Sequence, residues 1–398
     1  MDLEPCNERN TIMPMCPTIT QGAARAVSDL LDNCARIKPD QEILLLAHID
    51  GLYGGDNLVD ETAVAWIQHA IQDRGANASI LWIDEKARPH KWRIPPVVKA
   101  AVAACDVFIN FSHDIVFEEM VELKQFLWKN KILMVRNMAT TAPLLNTAWA
   151  QTPYELVSEI RYQAAVPIEP GLPWQLSADN GTHLEGIIEA PYNPNHPWFK
   201  TYTIRREEGG AYQPWPEWVV PPIYLSKTSG TFVFDLMLGW WTRYIGISPY
   251  FEEPVRLTID NGLIKKIDGG YEAKALVRFL DSMIPRVGEG VYDFKCLHFG
   301  VHPQANIGAH QCPNLLFRRL IEHAHSSNIH VHIGAPPATA EYPYWMHCTG
   351  DIRTATFQVG ETVIHDRGVL SALQHPKVLE LAEKYPGRPG VNMEPWNH

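Results

Sequence analysis

Histidines whose spacing suits metal binding crowd one stretch of the chain. His298, His302, His330, His332 and His347 fall within about fifty residues, with Asp351 close behind, and His310, His323 and His325 lie between them. Neutral imidazole is the commonest protein ligand for transition metals, and an aspartate supplies the anionic oxygen that completes many catalytic sites. The stretch therefore points to a metal-dependent enzyme. His330 and His332 are two apart in an apparent strand, so both project from one face and can hold one ion between them. The alternative is one ligand and one packing group. His298 and His302 share a face if their strand stays extended, but four residues span about 13 Å, too far for both to reach one ion at about 2.1 Å. Pro303 marks the strand end and leaves His302 freer to turn, so the more rigidly placed His298 is preferred as the ligand. His347 and Asp351 flank Gly350, and a loop there would bring both to one ion, or a turn would pair them with each other. His310, His323 and His325 read as surface or capping groups, and His48 as a structural loop histidine.

Two kinds of pattern must position these residues. From 21 to 165, helix and strand alternate: AARAVSDLLDNCARI, EILLLAHID, ETAVAWIQHAIQDRGA, SILWID, VVKAAVAACD, VFINFS, QFLWKN, KILMVRN. Such alternation predicts an α/β unit with a parallel sheet. Its first strand is followed by a glycine-rich loop, DGLYGGD, at the strand end where such sheets bind ligands, although it is not the GxGxxG fingerprint. Residues 1–20 read as a tail. From 166 to 398 the pattern is α+β and carries the metal-site residues. It includes a hairpin, VRLTI-DNG-LIKKI, whose Asn261–Gly262 supplies positive-φ turn residues, a strand KCLHFGVH, a helix NLLFRRLIEHAH, a strand IHVHIGA, and a second hairpin, ATFQV-GE-TVIHD. The boundary is expected between 150 and 170.

Composition narrows the function. The chain has 398 residues, 46% of them hydrophobic, and a net charge of −11. Two domains are expected at that length. The charge argues against nucleic acid or an anionic membrane as partner. Cysteines 6, 16, 34, 105, 296, 312 and 348 form no CxxC pair and read as reduced thiols. With no signal-peptide pattern and no apolar run of about 18 residues, a cytoplasmic location is expected.

The order of several pieces resembles a known family. IKPDQEILLLAHID, NGTHLEG, GGAYQPWPEWVVPP, SGTFVFD, IDNGLIKKIDGG, LHFGVHPQAN, HVHIGA and MHCTGDIRTATFQVGETVIHDRGVL, spread over roughly residues 35–370, are similar in order and spacing to the aminopeptidase T-type metallopeptidases and their relatives, the 2,5-dihydroxypyridine 5,6-dioxygenases. For the peptidase branch the resemblance implies two metal ions held partly by carboxylates. Glu217 and His332 fit that pattern, but His298 stands where a bridging glutamate is needed, and a neutral imidazole cannot offset two adjacent divalent charges. For the dioxygenase branch it implies a mononuclear non-haem Fe(II) held by His298, His347 and an acid. That family's His-x-Asp spacing puts the acid at 349, where this chain has Thr349; Asp351 lies two residues on.

The resemblance therefore implies a ring-cleaving dioxygenase acting on a hydroxylated aromatic or heteroaromatic compound and O2, in aromatic catabolism, with homo-oligomeric assembly. Its expected metal ligands are His298, His347 and Asp351. His302, His332 and Glu217 are the acid/base candidates, with His332 or Glu217 able to complete the metal shell. Tyr342, Tyr344, Trp345 and Trp215 are expected to wall a planar substrate and Arg353 to bind its carboxylate or phenolate. The alternatives are a hydrolase using Zn2+ or another divalent ion, with Glu217 as general base, and a degenerate non-catalytic relative.

Overall fold

The computed structural model describes residues 18–48, 58–83, 95–111, 121–190, 212–216, 219–288, 290–334 and 348–392. The expected Glu217, Tyr342, Tyr344, Trp345 and His347, and the DGLYGGD loop, lie outside them.

The chain builds β1 (Glu42–His48), β2 (Asn77–Ile83), β3 (Val107–Asn110) and β4 (Leu133–Asn137). It leaves for a hairpin of β5 (Pro173–Ser177) and β6 (His183–Ile188), and returns as β7 (Tyr212–Trp215). These give a parallel sheet ordered β2-β1-β3-β4-β7. Helices Glu61–Gln72, Pro96–Ala103 and Val121–Asn130 make the crossovers, as parallel neighbours require. β1 is buried from Ile43 onward, which explains its unbroken apolar run. Asp60 ties this layer together: one carboxylate oxygen accepts from Ala63 N at the start of Glu61–Gln72, and the other from Ala142 N. The fifth strand, β7, comes from beyond residue 165.

The second sheet is mostly antiparallel. It contains β5, β6, β8 (Ile223–Leu236), β9 (Tyr250–Asp260), β10 (Leu263–Asp268), β11 (Phe294–Phe299), β12 (Ile329–Ile333), β13 (Cys348–Ile352), β14 (Thr356–Val359), β15 (Thr362–Asp366) and β16 (Val369–Leu370). The β9–β10 turn has φ of 49° at Asn261 and 76° at Gly262, the conformation the Asn-Gly pair predicts. An α/β layer joined to an α+β layer is the architecture anticipated from the alternating pattern and its change.

Strand β8 encloses the histidine-bearing strands. Its start pairs with β11 (Cys296 with Tyr224) and its end with β13 (Asp351 with Leu236), while β12 lies between β11 and β13. Both outer edges of the three-strand unit are thus paired over part of their length with one long strand. Among the described residues no helix is long and apolar enough to cross a membrane.

Candidate metal centre

The register of three strands assembles the site. His298 pairs with His330 across β11 and β12, His330 with Asp351 across β12 and β13, and His332 with Thr349. Cross-strand partners share a face, and so do residues two apart. Cys296, His298, His330, His332, Thr349 and Asp351 therefore line one face. The opposite face carries Leu297, Val331 and Gly350 against an aromatic layer. A Cβ at Gly350 would lie 3.0 Å from Phe234 Cγ and 3.1 Å from Phe232 Cε1. Gly350 was expected to turn a loop between His347 and Asp351. It sits instead inside β13, where the aromatic layer leaves no room for a side chain.

The imidazoles on this face stack. Ring centroids are 4.6 Å apart for His298 and His332, 5.0 Å for His298 and His330, and 3.8 Å for His330 and His323. His323 joins from the end of helix Leu315–Glu322, which Asn314 caps by accepting from Phe317 N. The reading of His323 and His325 as surface or capping groups is corrected: both are buried, because that helix drives its last turn into the core and the chain then bridges back, His325 to His302. His310 is exposed, as expected.

Among the described residues two donor groups result, each with its ligand atoms within 4.8 Å of one another: Cys296, His298 and His332, and separately His323, His330 and Asp351. In the first, His298 Nδ1 lies 3.1 Å from the Val220 carbonyl. A carbonyl only accepts, so Nδ1 carries the proton and the lone pair is on Nε2, the arrangement that orients a ligating histidine. Cys296 Sγ is 3.1 Å from His332 Nδ1. Burial pushes the Cys296 thiol pKa up, so the neutral S–H donates to the imidazole. Any ion taking both donors must release that proton.

In the second group, Asp351 Oδ2 accepts from Arg319 Nη2 at 2.5 Å, His323 Nδ1 at 2.7 Å and Asn328 Nδ2 at 2.9 Å. Burial raises its pKa, but the Arg319 and His323 neighbours and the hydrogen bonds outweigh it and bring the carboxyl down to about 2. Burial pulls His323 and His330 below the ordinary histidine value, so Asp351 is the anion, paired with Arg319, and His323 is neutral. Arg319, Asn328 and Cys296 had no signal in local pattern; only the strand register makes them neighbours of the histidines.

The remaining expected residues are distributed around this face. His298 and Asp351 stand on either side of His330, about 10 Å apart by strand spacing, and belong to different donor groups. His332 stands with His298. His302 belongs to neither group: β11 ends at Phe299, and His302 Nδ1 accepts from Gln304 N while its ring meets Trp149 edge-on at 6.5 Å. Arg353 is half-buried, with burial first and Arg319 second pulling its pKa down, while Glu322 and Asp235 oppose them. Trp215 is buried, its indole N–H donating to Asp29 Oδ2 at 3.3 Å, so it is part of the packing under β7 and not a substrate wall.

Residues 195–315, less than half of the chain, match the model of the NicX family, 2,5-dihydroxypyridine 5,6-dioxygenase. The matched stretch contains Glu217, His298 and His302 and stops before β12. The solved structure of 2,5-dihydroxypyridine dioxygenase from Pseudomonas putida KT2440 shares the fold, with a TM-score of 0.59 at 15% identity over 88% of this chain and 97% of that one. No curated protein sequence matches at a significant level. Of the two branches that the sequence resembles, these similarities fall on the dioxygenase side.

Proposed function

We propose that the protein is a mononuclear non-haem Fe(II) dioxygenase that cleaves a hydroxylated aromatic or heteroaromatic ring. The observation that carries this reading is His298. It lies within the segment similar to the dioxygenase family, it is buried beside His332, and a backbone carbonyl fixes its tautomer. Its donor set fits a divalent transition ion, since two stacked imidazoles can turn one nitrogen each to a common point.

His298 and His332 are the proposed anchors of the ion. His347, which directly precedes Cys348 on β13, is the third nitrogen, and Glu217, three residues before Val220, is the acid that completes the shell. Bound Fe(II) would supply the chemistry that makes O2 reactive toward an electron-rich ring. The chain's own part is to hold donors and substrate in register before reaction. Arg353 is the proposed partner of a substrate anion, and Tyr342, Tyr344 and Trp345 are its proposed walls. Apoprotein reconstituted with Fe(II) should consume O2 with dihydroxypyridines or catechols and lose that uptake with chelator. No uptake across such a panel would end this reading.

A second reading rests on Cys296. A thiol and two imidazoles form a set that Zn2+ takes readily, and with Glu217 as base it would suit hydrolysis. Chelator-sensitive turnover of an amide without O2 would favour it.

A further inference from the structure

We infer that His323, His330 and Asp351 form a second divalent-cation site, separate from the one anchored by His298. Three observations point to it. The donor atoms converge to within 4.8 Å of one another. Two imidazoles and one carboxylate match the ligand preference of divalent first-row metals such as Fe, Co or Zn, and the absence of sulfur from the set disfavours soft monovalent ions. Third, the group is half satisfied. Asp351 Oδ2 takes three hydrogen bonds, yet among the described residues Asp351 Oδ1 and His330 Nδ1 are buried with no hydrogen-bond partner. Bare donors and acceptors in a sealed interior are costly, and a cation between them would satisfy both.

The surroundings fit a ligand shell. Arg319 and Asn328 bind the carboxylate from outside the group, as outer partners of a ligating carboxylate do. They hold Asp351 ionised and fix its plane. His323 Nδ1 lies 2.7 Å from Asp351 Oδ2, close to the roughly 3 Å between two donors about 2.1 Å from one ion at right angles; an ion taking both atoms must displace the proton between them, with the neutral ring in its other tautomer. Arg319 offsets Asp351, and the buried Glu322, next to His323 in the chain and accepting from Tyr250 OH at 2.6 Å, adds an anion nearby. A water molecule donating to Oδ1 and to Nδ1 is the competing occupant. It would leave the site indifferent to metal.

The test is Co(II) titration of the apo full-length chain, read by its visible absorption and by metal content after gel filtration. The variants are His323→Asn, which keeps an N–H donor for Asp351 and does not touch His298, and His298→Ala. Two equivalents bound by the unmodified chain, with one lost in His323→Asn, support the site. One equivalent that survives His298→Ala but not His323→Asn also supports it, and would overturn the ligand assignment proposed for the dioxygenase centre. One equivalent that survives His323→Asn but not His298→Ala overturns the second site, as does no binding at all. Circular dichroism of each variant separates lost ligands from lost fold. O2 uptake is not a readout here, so failure of the dioxygenase reading leaves this test intact.

Discussion

His298 and His330 face each other across β11 and β12 with imidazole centroids 5.0 Å apart and planes 7° from parallel. His298 also meets His332 at 4.6 Å, with His330 and His332 themselves 5.5 Å apart, and its Nδ1 is held by the Val220 carbonyl. The ring is therefore oriented by protein contacts before any ion arrives, which is how a precise metal centre is built. His302, four residues on, shares none of these contacts. Replacing His298 or His332 by alanine should weaken iron binding at the site anchored by His298 by at least about tenfold, since losing even an outer partner of a ligand costs 10–100-fold. His302→Asn, which keeps an acceptor for the Gln304 N–H, should retain iron at the level of the unmodified chain. Metal analysis after dialysis checks both, and equal losses in all three variants would remove the distinction drawn between His298 and His302.

Local pattern made parts of this arrangement legible. The His330-x-His332 alternation told that both rings share a face, the Asn261–Gly262 turn located a hairpin, and the helix–strand alternation gave four strands of the parallel sheet. The fifth, Tyr212–Trp215, is a short segment containing a proline and has no alternation to announce it. A histidine at a helix end, such as His323, reads as a cap until the packing of that helix is known. Asp351 pairs with Arg319 across 32 residues and with His330 through strand register, relations that no spacing rule contains.

The pair of Arg319 and Asp351 is wholly buried, so removing one partner leaves an uncompensated charge. Arg319→Met should destabilise the fold by about 3–5 kcal/mol, whereas replacing both residues by apolar ones should cost clearly less than the sum of the single changes. Urea unfolding of the two single variants and the double variant measures the coupling. Additive losses would show that the charges do not depend on each other.

Gly350 separates two lining residues, Thr349 and Asp351, and its missing side chain admits Phe232 and Phe234. Thr349 Oγ1 in turn accepts from Leu238 N at 3.0 Å, so β13 has little freedom to back away. Gly350→Ala should cost about 1–3 kcal/mol through overpacking and shift Asp351 against Arg319. The expected result is a lower melting temperature together with weaker metal retention. A variant as stable as the unmodified chain would mean that the aromatic rings can yield.

Acid should loosen this protein well above the range in which carboxylates protonate. Burial lowers His48 and His365 to about 4; at His302 burial, then the His325 charge, bring the value to about 3. The unfolded chain titrates these groups near 6.5. Below that pH it takes up protons that the folded chain refuses, so the unfolded state gains and stability falls as pH drops from about 6.5 to 4. The loss is on the order of 3 kcal/mol per fully buried imidazole. Asp351 works in a lower window: its folded value of about 2 lies below the usual 3.8, so its stabilising contribution is present above that range and is lost only as pH falls from about 4 toward 2. The urea midpoint should therefore be steady above pH 7 and decline steeply between pH 6.5 and 4.5. A midpoint unchanged across that interval would mean that the buried histidines meet water, or a proton acceptor, in the folded chain.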